Sequence, residues 1–198
     1  MALGTAGIGL AAGAGATATN DAAPRFTEVA AGSWHSLALT ENGLVYAWGY
    51  NADGQLGLGD TAYRAVPHLV ALPAKAVHVA AGSGHSLART EDGRVFAWGN
   101  NDNGQLGLGD LTGRLTPQAV EGLDGMTEIA AGQYHSHAVA AGGQLHSWGS
   151  NSHGQLGLGI QAGANVNRTT PQPVAGMTDI TAIEAGYVHS LAITATGV

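Results

Sequence analysis

The chain contains no cysteine, which excludes disulfide bonds, thiolate catalysis and cysteine-ligated zinc. Charged residues are also scarce: they make up 11% of the chain, and 7 Lys or Arg face 14 Asp or Glu. The resulting formal charge of −7 leaves no basic stripe that could release counterions from a phosphate backbone. We therefore expect no direct binding to nucleic acid.

Long hydrophobic runs are missing as well. The one candidate for a targeting segment, residues 1–23, is rich in Ala and Gly, has no basic residue and is too weakly apolar for a transmembrane helix, so we expect no membrane association. Two interpretations of it stay open. It is either a signal peptide without the usual basic start, which favours a secreted protein, or a degenerate repeat. The second interpretation rests on Gly4, Gly7 and Gly9, which occupy the repeat positions of Gly54, Gly57 and Gly59.

Glycine is abundant, with 32 residues against 6 prolines, and it recurs in a regular pattern. Three strings return at steps of 50 residues: Ala-Ala-Gly-x-x-His-Ser, Trp-Gly and Gly-Gln-Leu-Gly-Leu-Gly. They begin at Ala30, Ala80 and Ala130, at Trp48, Trp98 and Trp148, and at Gly54, Gly104 and Gly154. A variant of the first string begins at Glu184. A period of this length is typical of a repeat array or a propeller.

Short apolar runs within each repeat predict β-strands, which in the first copy span residues 36–40 and 44–48. Between them, Asn42-Gly43 favours a type I′ hairpin turn, and the later copies have Asp92-Gly93 and Gly142-Gly143 there. The repeated tryptophans should fill the space between neighbouring blades. The repeated glycines should let the backbone turn sharply.

The repeated histidines are separated around any ring that the repeats form, so they are too far apart to share a metal ion. We expect each imidazole to hold its own turn by hydrogen bonds to backbone groups. These residues are His35, His85, His135 and His189. The glycine-rich string lacks the lysine of a phosphate-binding loop, and no calcium-ligand set repeats. We predict no metal and no cofactor.

The pattern resembles the repeat of the regulator of chromosome condensation family, whose members form β-propellers. The resemblance runs from Val29 to Val198 and implies an all-β fold of three full blades and a partial fourth. The expected units are a leader or degenerate partial repeat at 1–28, repeats at 29–78, 79–128 and 129–182, and a partial repeat at 183–198. These units do not close a ring, so the propeller is either incomplete or completed by another chain at an open blade edge.

Function is expected where the copies differ, because the fold already explains what they share. Trp34 is the one tryptophan outside the repeat, and large rigid aromatic side chains in turns are typical of binding anchors. The predicted partner-binding residues are Ser33, Trp34, Tyr50, Asp53, Asp102, Gln133, Tyr134, His153 and Tyr187. An arginine in each long loop is either a solvated edge charge or a partner contact; these are Arg64, Arg114 and Arg168.

These features favour a non-catalytic scaffold that presents variable turns to a protein partner. Relatives of the resembled family include exchange factors for a small GTPase, a secreted inhibitor of β-lactamases and a plant ultraviolet-B photoreceptor. The acidic balance and the leader are more similar to the secreted bacterial kind, which suggests an inhibitor-like or adhesion-like module.

The alternatives are a half-propeller that self-associates through its open edge, a regulator similar to the exchange factors, and an enzyme sited in the channel. An enzyme would need a non-repeated acid, base or metal set near the ring axis. The non-repeated histidines of the third copy do not meet this need, because His137 and His146 fall in predicted strands and His153 in an outer loop.

Overall fold

The computed structural model describes residues 24–159 and 167–196, in which every regular element is a β-strand and no helix long enough to cross a membrane occurs. The segment 1–23, with both interpretations proposed for it, lies outside the described residues. Blade 1 contains β1 (Phe26–Ala31), β2 (His35–Thr40), β3 (Val45–Gly49) and β4 (Arg64–Val70). Blade 2 contains β5 (Ala76–Ala81), β6 (His85–Thr90), β7 (Val95–Gly99) and β8 (Arg114–Ala119). Blade 3 contains β9 (Met126–Ala131), β10 (His135–Ala140), β11 (Leu145–Gly149) and β12 (Arg168–Pro173), and the described part of blade 4 contains β13 (Ile180–Ala185) and β14 (Ser190–Thr194).

Each blade is an antiparallel sheet in which strands that follow one another in the chain are also neighbours. The first strands of the blades, β1, β5, β9 and β13, lie side by side and line a common depression. The sheets therefore stand radially around an axis, with these strands innermost. The prediction of an all-β fold built from propeller blades is confirmed, and in the described residues the ring is open.

In blades 1 to 3, the hairpin between the second and third strand is not the predicted type I′ turn. A type I′ turn needs positive φ at two successive residues, whereas here Gly43 has φ of 79° and Asn42 is not left-handed. The Gly43 N–H donates to Thr40 O at 2.9 Å, which closes a type I turn before the left-handed glycine. The prediction was wrong because a four-residue loop leaves room for a turn in which glycine alone takes the unusual conformation.

The hydrophobic core lies between blades rather than inside them. Side chains from two faces of neighbouring sheets form each cluster: Leu37, Leu56 and Val70 of blade 1 pack with Val79 and Trp98 of blade 2. An equivalent cluster joins blades 2 and 3 around Trp148. Each blade thus buries its apolar face only against its neighbour.

The repeated tryptophan is held in this interface by the glycine-rich loop of the preceding blade. Trp98 is fully buried, and its indole Nε1–H donates to Gln55 O at 2.9 Å. Gly57 has φ of 71°, and a Cβ there would lie 2.8 Å from the Trp98 Nε1 atom. The loop therefore needs glycine both for its backbone conformation and for contact with the indole.

We expect Trp98→Ala to lower the free energy of unfolding by about 3–5 kcal/mol, because it empties a closed interface and removes one of the two donors to the Gln55 carbonyl. Trp48 occupies the same repeat position but is only partly buried, so Trp48→Ala should cost less. Urea unfolding followed by circular dichroism measures both values. Equal losses for the two variants would contradict the interface role.

Candidate functional site

The repeated histidine and serine link each blade to the next. The Ser86 hydroxyl donates to Gln55 O at 2.8 Å, so the His35 Nε2–H must be the donor in its 2.9 Å hydrogen bond to Ser86 Oγ. His35 and Gln55 belong to blade 1 and Ser86 belongs to blade 2. Both hydrogen bonds of Ser86 therefore cross the interface between the two blades. The link recurs between the later blades, through His85, Ser136 and Gln105 and through His135, Ser190 and Gln155.

This arrangement corrects the expected role of the histidines. The turn is closed by the backbone, through Gly32 N–H to His35 O at 2.9 Å, while the imidazole bonds to the neighbouring blade. A Cβ on Gly32 would lie 2.4 Å from both His35 Cε1 and Gly82 O. The glycine of the Gly-x-x-His string is therefore needed to let the ring and the next turn approach.

Burial keeps the linking imidazoles neutral. It lowers the pKa of His35 and His135 to about 4 and that of His85 to about 3, since an imidazolium there would lose its hydration. None of these rings contacts a carboxylate among the described residues, and each linking serine hydroxyl already donates to a carbonyl. The geometry therefore does not form a Ser-His-acid nucleophile.

Blade 3 adds a second, non-repeated histidine to its link. His137 Nδ1 lies 2.8 Å from Ser147 Oγ, and its Nε2 lies 2.6 Å from Ser190 Oγ. The cross-strand pair His137 and Ser147 replaces the Leu37 and Ala47 pair of blade 1. Burial lowers the pKa of His137 to about 3. The sequence analysis placed His137 in a strand, and its role there is to bond to blade 4.

Five of the nine predicted binding residues line one concavity on the face of the propeller, which we call the facial pocket. They come from the variable turns of blades 1 to 3 and are Trp34, Tyr50, Asp53, Asp102 and Tyr134. The pocket has a volume of about 430 Å³. Trp34 is 75% exposed, whereas the repeated Trp98 is fully buried. The structure thus brings together aromatic and acidic side chains that lie far apart in the sequence.

Three other predicted residues lie nearer the axis, in residues 31–33, 81–83, 131–133 and 185–187, which we call the axial turns. Ser33, Gln133 and Tyr187 line a shallow depression there, and Tyr187 is 66% exposed. The turns are joined to one another: Ser33 Oγ donates to Ser83 Oγ at 3.0 Å, and Gln133 N–H donates to Tyr187 O at 3.3 Å. The expected arc of variable turns is therefore a hydrogen-bonded row.

His153 does not join either group. It is exposed and lines a cleft between blades 3 and 4, which we call the edge cleft, together with Leu145, Val174 and Ile183. The loop arginines bond within their own loops. Arg64 forms a 2.5 Å ion pair with Asp60, Arg114 forms a 2.6 Å ion pair with Asp110, and Arg168 donates to Asn167 O at 3.0 Å. These arginines hold their own loops.

An acid–base cluster at the axis was missed by the sequence analysis. His78 Nε2 lies 3.3 Å from Glu28 Oε1, and His78 Nδ1 lies 3.6 Å from Glu128 Oε2. The signal was present, because these residues stand 50 apart, two positions before each Ala-Ala-Gly string. The imidazole lies between carboxylates of the two neighbouring blades, so the cluster brings three blades into contact at the axis. No group of three such side chains in residues 24–159 and 167–196 is arranged to hold a metal ion.

Comparisons with known proteins agree with this geometry. A model of the RCC1-like domain matches residues 8–198. The crystal structure of human WBSCR16 is 28% identical with a TM-score of 0.77, over 90% of this chain and 47% of that one. Prp20p from Saccharomyces cerevisiae is 28% identical with a TM-score of 0.74, over 85% of this chain and 43% of that one.

Sequence matches to curated proteins are shorter. The probable E3 ubiquitin-protein ligase HERC4 of Homo sapiens is 51% identical over 45 residues, which are 23% of this chain and 4% of HERC4. The chain therefore spans less than half of either solved structure and a small part of the ligase.

We expect the protein to lose stability as the pH falls from about 6.5 toward 4. The unfolded chain binds protons at each histidine near the ordinary pKa of 6.5, whereas the folded chain accepts them at His35, His85, His135 and His137 only near pH 3 to 4. Each such group removes about 1.4 kcal/mol per pH unit in this window. Urea unfolding at a series of pH values measures the slope.

The double variant His137→Leu with Ser147→Ala serves as the control, because it copies the residues of blades 1 and 2 and removes one of the four groups. Its slope between pH 6.5 and 4 should be shallower. An unchanged slope would mean that His137 does not resist protonation in the folded state.

Proposed function

Because the chain belongs to the RCC1-like domain family, we propose that it is a non-catalytic protein-binding module that engages its partner through the facial pocket and the axial turns. One observation carries the proposal. Five residues that break the repeat, drawn from three blades, converge on a single concavity, and three of them are aromatic.

The exposure of these aromatic rings has no structural explanation in the repeat. Trp34 and Tyr134 take a position that is glycine in blade 2 and valine in blade 4, so the fold does not require a ring there. Exposed aromatic side chains beside polar groups are typical of protein–protein hot spots. They supply contact area at a low cost in side-chain entropy.

The related structures support a protein partner. Prp20p was described with its binding properties to Gsp1p and histones, and with Kap60 bound to it. Those partners belong to Prp20p, and the matched region is less than half of that protein. For this chain we propose the shared mode, a propeller face that recognises another macromolecule. A secreted inhibitor-like or adhesion-like role stays a prediction from the charge and the leader.

Affinity capture with matched baits tests this function. Immobilised wild-type protein and the variant Trp34→Ala/Tyr134→Ala are exposed to lysate and culture medium of the source organism, and bound proteins are quantified by mass spectrometry. We expect a partner whose capture falls at least about tenfold with the variant, because hot-spot rings carry most of the binding free energy. The melting temperature should change little, since Trp34 is exposed.

Tyr63→Ala is the control, because Tyr63 is equally exposed but does not line the facial pocket. The control bait should retain the partner. If no captured protein depends on Trp34 and Tyr134, or if Tyr63→Ala causes the same loss, the proposed face is wrong.

The edge cleft favours a second candidate, self-association through the open blade. It has a volume of about 360 Å³ and lies where the tryptophan stands in the complete interfaces. A Cβ on Gly57 or Gly107 would touch an indole, whereas one on Gly157 would meet only Val174, at 3.5 Å. Within the described residues, β14 also has no strand on its outer side. A second copy that packs against this edge would cover both the cleft and β14.

Light scattering after size-exclusion chromatography tests this candidate. We expect a dimer that dissociates on dilution and is disrupted by a synthetic peptide of residues 144–149, which carries Trp148 and Gly149. The same peptide with alanine in place of tryptophan is the control and should have no effect. A monomer at every concentration would rule out the second candidate.

A further inference from the structure

The facial pocket exists because blade 2 has glycine where its neighbours have aromatic residues. Gly84 stands at the repeat position of Trp34 in blade 1 and Tyr134 in blade 3. A Cβ there would lie 3.2 Å from Asp53 Oδ2 and 3.4 Å from Asn100 Cβ. Gly84 does not have a positive φ, so its backbone conformation does not require glycine, and a side chain there would fill the space after a small shift of the Asp53 carboxylate. That space lies between two exposed rings.

The two carboxylates at the rim of the pocket have no cationic partner among the described residues. Three loop aspartates pair with a nearby arginine, as Asp60 does with Arg64, but Asp53 and Asp102 form no ion pair there. Both instead accept from one amide nitrogen, Asn100 Nδ2, at 3.4 and 3.0 Å. The carboxylates thus lie on either side of a single N–H donor group, at a position where a cation would be attracted to both.

The Gln55 side chain also faces this space. Gln55 is 1% exposed and lines the pocket, and its Oε1 accepts from Asp53 N–H at 3.0 Å. Its Nε2 has no hydrogen-bond partner within the described residues. In the next copy the equivalent Gln105 Nε2 donates to Asn100 Oδ1 at 2.6 Å, but blade 1 has Tyr50 at that acceptor position. This donor is open to solvent, so it is available to an acceptor that enters the pocket.

We propose that the facial pocket receives an arginine side chain from an extended segment of the protein partner. The guanidinium lies between Asp53 and Asp102 and stacks on the rings of Trp34 and Tyr50, and a backbone carbonyl of the same segment accepts from Gln55 Nε2. The proposal rests on the proposed function, since it names the chemistry that the same face recognises. The acidic chain, with a formal charge of −7, adds long-range attraction for such a segment.

Arginine fits this site better than lysine does. Its planar guanidinium offers several N–H donors in a fixed plane, which can serve two carboxylates at once and also stack on an aromatic face. An ammonium group is more strongly hydrated and stacks less well. Two carboxylates and aromatic rings around one opening therefore favour the planar guanidinium over an ammonium group.

The test uses the chain as it is and three blocked peptides, acetyl-Gly-Ser-X-Ser-Gly-amide, in which X is arginine, lysine or the uncharged isostere citrulline. Two-dimensional ¹H–¹⁵N NMR titration follows binding. We expect the arginine peptide to bind with a Kd of about 1 mM or tighter, with indole shifts at Trp34 and weaker binding at high salt. The lysine peptide should bind several-fold more weakly, and the citrulline peptide should not bind.

Two variants locate the site, and a third controls for charge. Asp53→Asn/Asp102→Asn should weaken arginine-peptide binding at least about tenfold, since it removes both anions. Gly84→Tyr should abolish binding by filling the pocket with the residue that blade 3 already has at this position, without lowering the melting temperature. Asp124→Asn, an exposed change outside the pocket, should bind as the wild type does.

The arginine site is wrong if the arginine peptide fails to bind at about 10 mM, which is tenfold above the expected Kd. It is also wrong if the lysine peptide binds equally well, or if the Gly84→Tyr variant binds the arginine peptide as the wild type does. These outcomes are separate from the capture experiment. A partner that depends on Trp34 and Tyr134 while the arginine peptide does not bind would keep the proposed function and overturn the arginine site alone.

Discussion

The link from histidine to the neighbouring blade's serine and back to a loop carbonyl is the interaction on which this architecture depends. It makes each interface specific, because Ser86 must lie between His35 and Gln55 to satisfy three polar groups in a place that water does not reach. The indole of Trp98 donates to the same carbonyl and fills the apolar part of the interface. The hydrogen bonds and the buried indole thus meet at the same carbonyl. A shift of either blade would break the hydrogen bonds and expose the indole.

This division of labour leaves the turns free to vary. Residues that repeat are used in the interfaces, so residues such as Trp34 and Gly84 at the tips of the turns can change without disturbing a blade. A pocket then arises from differences between adjacent blades, because one blade lacks a side chain where the blades on either side have a large one. The repeat scaffold provides the rigidity that such a shallow site needs in order to bind without a large loss of entropy.

The charged residues also divide into those used in the scaffold and those left unpaired at the surface. The arginines of the loops are paired locally, as Arg114 is with Asp110, and they add rigidity without adding a basic surface. The axial cluster of Glu28, His78 and Glu128 ties three inner strands together. The acids at the facial pocket, in contrast, have no such cation in the described residues. In the proposed function, these unpaired acids are the charges that face the partner.

The repeat by itself determined the all-β propeller, the burial of one tryptophan per interface and the set of variable turns, because each of these follows from a residue type at a fixed period. Tertiary structure decided the distances between residues of different blades, because the spacing of the repeats in the sequence does not give these distances. It joined Trp34 to Asp102 and Tyr134, and it separated His153 from them. It also assigned the imidazoles to the next blade and replaced the expected type I′ turn, since hydrogen-bond partners and φ angles depend on how the neighbouring chain segments pack.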